Sequence, residues 1–141
     1  MSDILSGRRV LVVEDEMIIL MAIEDMLADL GCKDVTTAPS VAKALALIDA
    51  QSFDVAMLDA NLGKETSEPV ADALAARNIP FFFATGQRDI GTSDRHKGRK
   101  VLSKPFRMVD LERSFRDVLS SEPNERKSPE PGGEPAGDDL G

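Results

Sequence analysis

Five short apolar runs, each followed by a stretch of different periodicity, divide most of this chain, and that alternation limits the fold more than any other feature. "RRVLVVED" (strand expected over 8–13), "KDVTTAP", "FDVAMLD", "IPFFFATG" and "KVLSKP" read as strands, the second weaker than the rest. "MIILMAIEDMLADLG" places Ile19, Ala22, Ile23, Met26, Leu27 and Leu30 at helical spacing, with Gly31 as the stop. Val41, Ala44, Leu45, Leu47 and Ile48 form a second such stripe, and "SEPVADALAARN" a third, with Ser67 as cap and Pro69 in the first turn. "RMVDLERSFRDVLSS" closes the series through Met108, Leu111, Phe115, Val118 and Leu119, whereas "QRDIGTSDRHKG" is polar and broken by Gly91 and Gly98, so that any helix there is short or frayed. Continuously apolar strands separated by helices imply a parallel sheet covered on both faces.

Length and charge bound the rest. The chain has 141 residues, enough for one sizeable core. No apolar run nears the roughly 18 residues of a membrane span, and "MSDILSGRRV" lacks a signal-peptide core. A single cysteine, Cys32, cannot form an internal disulfide, which points to a reducing cytoplasm. Net charge is −8, with no basic stripe, which argues against autonomous nucleic-acid binding. Residues 1–120 are expected to form the domain and 121–141 a disordered acidic tail, in which six acids face Arg126 and Lys127 among four Pro and four Gly. Those residues are too few for an output domain such as a helix-turn-helix.

In a doubly wound sheet, chemistry gathers at the carboxyl ends of the strands. Glu14 and Asp15 follow strand one, Asp59 ends strand three, Thr85 and Gly86 end strand four, and Lys104 and Pro105 end strand five. A flavodoxin-like order, 2-1-3-4-5, would bring these to one rim. Three carboxylates there repel one another unless a hard cation joins them, and oxygen ligands suit Mg²⁺. No Cys or His stands at these ends to favour zinc or copper. Thr85 and Lys104 make sense if an anion arrives on Asp59, because a carboxylate can take a phosphoryl group and the hydroxyl and ammonium would hold its oxygens.

"VVEDE", "MLDANLG", "FATG" and "SKPF", in that order and register, resemble the receiver domains of two-component response regulators. The resemblance covers about 8–120 and implies a CheY-like fold and a single-domain response regulator of a phosphorelay. It makes Asp59 the phosphoacceptor, supplied by a histidine kinase or a histidine phosphotransfer protein. Asp15 would bind Mg²⁺ directly and Glu14 through water, beside Asp59 and the Asn61 backbone carbonyl. Lys104 would pair with Asp59 or its phosphate, across a cis bond to Pro105. Thr85 would be the switch hydroxyl, helped by the backbone N–H groups of Ala60 and Gly86. The readout would be protein–protein contact through 88–116, or the chain would act as a phosphate shuttle or sink.

Two positions depart from that pattern. Val101 stands where the family carries Tyr or Phe. "FATG" is similar to stand-alone alphaproteobacterial receivers, yet Gln87 and Arg88 follow it where those carry a hydrophobic residue and Tyr.

Other readings are weaker. A phosphatase of the haloacid-dehalogenase type needs a second acid two residues after its nucleophile, and position 61 is Asn, so at most slow self-dephosphorylation is expected. A phosphorylation-independent pseudo-receiver would not need all five landmarks. Nucleotide or flavin binding fails on charge, since the first loop, "EDEM", is acidic and lacks Gly. Met17, Met21 and Met26 are expected to pack the first helix, and His96 to be solvated.

Overall fold

The computed structural model describes residues 4–86 and 99–120. The polar stretch at 87–98, with Arg88 and His96, and the tail at 121–141 lie outside the described residues. The elements in chain order are β1 (Arg9–Val13), α1 (Met17–Asp29), β2 (Asp34–Ala38), α2 (Val41–Ala50), β3 (Val55–Asp59), β4 (Asn61–Leu62), β5 (Glu65–Thr66), α3 (Glu68–Ala76), β6 (Phe81–Thr85), β7 (Val101–Ser103) and α4 (Met108–Ser120). Five strands form one parallel sheet in the order β2-β1-β3-β6-β7, and β4 and β5 form a separate antiparallel pair. With that pair set aside, the order is the flavodoxin-like 2-1-3-4-5.

Alternation along the strands sorts the core into two layers. Leu11, Val13, Ala56, Leu58, Phe81 and Phe83 pack with α2 and α3 on one face. Val10, Val12, Val55, Met57, Phe82 and Ala84 pack with α1 and α4 on the other. The run of three phenylalanines serves both: Phe81 and Phe83 meet edge to face at 5.6 Å, and Phe82 meets Phe115 of α4 at 4.9 Å. The three interior strands, β1, β3 and β6, are therefore apolar on both faces, as a covered parallel sheet requires.

Three local expectations change. The buried stripe of α1 runs through Leu20, Ile23 and Leu27, and Ala22 is exposed. Met17 and Met21 do not pack that helix; with Ile18 they stand 63%, 56% and 83% exposed. Ser67 makes no side-chain cap on α3, because its hydroxyl turns back to the Ala60 carbonyl at 3.5 Å. By contrast Ser40 does cap α2, accepting the Lys43 N–H at 3.2 Å. Gly31 (φ +88°) and Asn78 (φ +59°) follow α1 and α3 in left-handed conformations that stop those helices.

Candidate functional site: an acidic pocket at the carboxyl rim

The sheet order brings the ends of β1 and β3 side by side, with β6 next to β3 and β7 beyond it at the edge. Glu14 and Asp59 are buried, at 1% and 6% exposure, while Asp15 faces solvent. Carboxylate oxygens of Glu14, Asp15 and Asp59 all fall within 4.8 Å of one another. Two buried acids so close together need an answering charge. Lys104 supplies it from the end of β7, its Nζ lying 3.2 Å from Glu14 Oε1 and 3.3 Å from Asp59 Oδ2. The expected partner was Asp59; the ammonium bridges both acids. Glu14 is further satisfied by the Glu16 N–H, which donates to Oε2 at 3.2 Å.

These surroundings set the protonation of the pocket. Burial first, then the adjacent Glu14 carboxylate, push the Asp59 carboxyl up to about 7, against the opposing pull of Lys104 and the Asn61 N–H. For Lys104, burial favours the neutral amine, but Asp59 and Glu14 outweigh it and the ammonium is held more firmly than usual. Three oxygen donors in one partly open cleft fit a hard divalent cation such as Mg²⁺.

Backbone amides around Asp59 divide differently from expectation. The Ala60 N–H donates to the Ala84 carbonyl at 2.9 Å, adding one rung to the β3–β6 pairing. The amide that faces the Asp59 carboxylate is that of Asn61, which donates to Oδ1 at 3.3 Å. A strand's consecutive N–H groups point to opposite edges, so the residue after a ladder-bound Ala60 is the one turned toward the side chain. Thr85 ends β6 half-buried, beside Ser103, and its carbonyl accepts the Lys104 N–H at 2.8 Å. Gly86 follows it directly. The Lys104–Pro105 peptide bond is cis.

One feature escaped the sequence: residues 60–67 form a small hairpin beside the pocket. The Ser67 N–H donates to the Ala60 carbonyl at 3.1 Å and closes its base. Asn61 pairs with Thr66 and Leu62 with Glu65, leaving Gly63 and Lys64 as a two-residue turn. Gly at the first turn position, with φ +66°, was a usable signal, but two-residue strands are too short for alternation to show.

Comparison with known proteins agrees with this geometry. The response regulator receiver domain family matches residues 10–116. The chain belongs to this family. Members accept phosphorylation on an aspartate, and the acidic pocket here is compatible with both Mg²⁺ and that modification. The solution structure of SdrG from Sphingomonas melonis Fr1 is 46% identical, covers 84% of this chain and 99% of its own, and superposes with a TM-score of 0.72. The receiver domain of the sensor histidine kinase PA1611 from Pseudomonas aeruginosa PAO1, solved with a magnesium ion in its active-site cleft, is 25% identical over 82% of this chain and 100% of its own (TM-score 0.67). The transcriptional regulatory protein PdtaR of Mycobacterium tuberculosis is 32% identical over 108 residues, 74% of this chain; this chain spans about half (53%) of that relative's length. Among the described residues no helix is long and apolar enough to cross a membrane.

Proposed function

We propose that this receiver accepts a phosphoryl group on Asp59 from the phosphohistidine of a kinase or phosphotransfer protein, in a Mg²⁺-dependent reaction. The observation that carries the reading is the Lys104 ammonium set between two buried acids, 3.2 Å from Glu14 and 3.3 Å from Asp59. A carboxylate oxygen of Asp59 attacks phosphorus; the P–O bond forms as the P–N bond to the imidazole breaks, and the departing nitrogen keeps the electron pair and is protonated. Asp15 and Asp59 would hold the cation directly, Glu14 through water, with the Asn61 carbonyl as a further ligand. When bound, Mg²⁺ offsets the negative charge that accumulates on the transferring group. Lys104, the Thr85 hydroxyl and the N–H groups of Asn61 and Gly86 would bind the phosphoryl oxygens.

A protein donor is supported by α1. Met17, Ile18 and Met21 are exposed on the helix that begins two residues after Asp15, an apolar surface beside the acceptor that suits a partner helix. The chain then signals by protein contact or passes the phosphate along a relay, in the cytoplasm where histidine kinases present phosphohistidine. Asn at position 61 lacks the acid that turnover of external esters requires, so hydrolysis is limited to the protein's own phosphate.

Incubation with Mg²⁺ and acetyl phosphate, followed by intact-mass measurement, tests this. One phosphoryl group is expected on wild type and none on Asp59→Asn. Labelling that persists in the Asn variant overturns the site. No labelling of wild type by any donor or kinase favours a phosphorylation-independent binding module, and many turnovers of a phosphomonoester favour a phosphatase.

A further inference from the structure

The hairpin at 60–67 meets the acidic pocket at its root and approaches it at its tip. At its root, the Asn61 N–H donates to Asp59 Oδ1 at 3.3 Å. At its tip, a Cβ added to Gly63 would lie 3.6 Å from Asp15 Oδ2. Between those points the hairpin is fixed: Leu62 is buried in the core layer of α2 and α3, and fully buried Ser67 closes the base through its N–H on the Ala60 carbonyl. Asp15 stands on the loop after β1 and Asp59 on β3, so the anchored hairpin is bonded to one acid at its root and lies close to the other at its tip.

We propose that this hairpin sets Asp15 against Asp59 for cation binding, and that Gly63 is its positioning residue; the inference rests on the Mg²⁺ reading above. Gly63 meets two demands at once. Its φ of +66° is a conformation that an L side chain adopts only with strain. Its bare Cα also leaves one side of Asp15 Oδ2 open, where a methyl group at contact distance would exclude a water or the cation itself. An added Cβ would thus sit in ordinary contact with Asp15 Oδ2 and cover that side of it, while the strained φ favours a shift of the tip, which carries Asn61 with it.

The test is a Mg²⁺ titration of the full chain, read by calorimetry and by amide chemical shifts, with no phosphorylation involved. Gly63→Ala is expected to weaken Mg²⁺ binding about tenfold, the size usual for residues that orient metal ligands. Gly31→Ala is the control: Gly31 has φ +88° with nothing within 4 Å of an added Cβ, so it brings the same backbone strain away from the pocket. It is expected to lower the melting temperature and leave Mg²⁺ affinity within twofold. In wild type, the Gly63 amide is expected to shift with the same saturation as Asp15 and Asp59, a readout that holds even if the Gly63 variant fails to fold. A Gly63→Ala protein that binds as tightly as wild type, equal weakening by Gly31→Ala, or a Gly63 amide that does not move overturns the inference. Wild type that does not bind Mg²⁺ at all overturns the metal reading and this inference with it.

Discussion

β3 and β7 each deliver one charged group to the same pocket, yet they are built in opposite ways. β3 lies at the centre of the sheet and all five of its residues are buried, including Asp59. β7 is a three-residue edge strand in which only Leu102 is buried, and Val101 stands 46% exposed. Asp59 is thus held by packing on both faces, whereas Lys104 follows an edge strand with one buried residue. The support differs more than the outcome: both side chains end mostly out of solvent, Asp59 at 7% and Lys104 at 18% exposure, and the lysine is tied in by its ion pairs to Glu14 and Asp59.

The sharpest way to break the contrast is to weaken the rigid side. Leu58→Ala is expected to cost about 2–5 kcal/mol, since it opens a cavity beside Asp59 in the best-packed strand, and a urea midpoint reads this directly. Next comes the cation. Lys104→Ala is expected to slow phosphorylation by acetyl phosphate roughly a hundredfold, the loss typical when one preorganised donor to a developing anion is removed; single-turnover labelling measures it.

The pH dependence of stability follows from Asp59. Folding raises the Asp59 carboxyl from the ordinary value near 4 to about 7, so the native state keeps a proton that the unfolded chain has lost. The stability gained that way is whole below about pH 4 and is lost as pH rises through about 7. Asp59→Asn is neutral at every pH. Without Mg²⁺, the two proteins are therefore expected to melt together near pH 4, with the variant higher by a few degrees at pH 8. A gap that does not vary with pH would show that Asp59 is not held protonated. The smallest effect is expected at the edge: Val101→Ala should change stability by no more than about 0.5 kcal/mol.

Much of this arrangement was legible because the parallel sheet writes itself into the sequence twice. Strands such as 55–59 and 81–85 are apolar without interruption, and the polar residues that end them mark the rim. Asp59, Glu14, Asp15, Lys104 and Thr85 could thus be placed by position alone. What could not be read depended on the third dimension. Nothing in "NLGKETS" tells that Ser67 turns back to the Ala60 carbonyl rather than capping its helix, since both bonds suit a serine. Likewise, which of two successive amides faces the Asp59 carboxylate depends on the rung that Ala60 makes with Ala84, a partner 24 residues away. Met17 and Met21 misled for a simpler reason: the first seven residues of α1, Met17 to Ile23, are apolar all round and do not say which side is covered, whereas Met26 packs as expected.

That extra rung has a mechanical consequence. Because Ala60 binds Ala84, Asp59 sits one step inside the paired region rather than at its margin, and Thr85 follows Ala84 directly. The backbones of Asp59 and Thr85 are yoked through a single peptide-to-peptide bond. If Asp59 takes the phosphoryl group proposed above, that bond keeps the two strand ends in register, and the response expected at Thr85 is a rotation of its side chain over a fixed backbone.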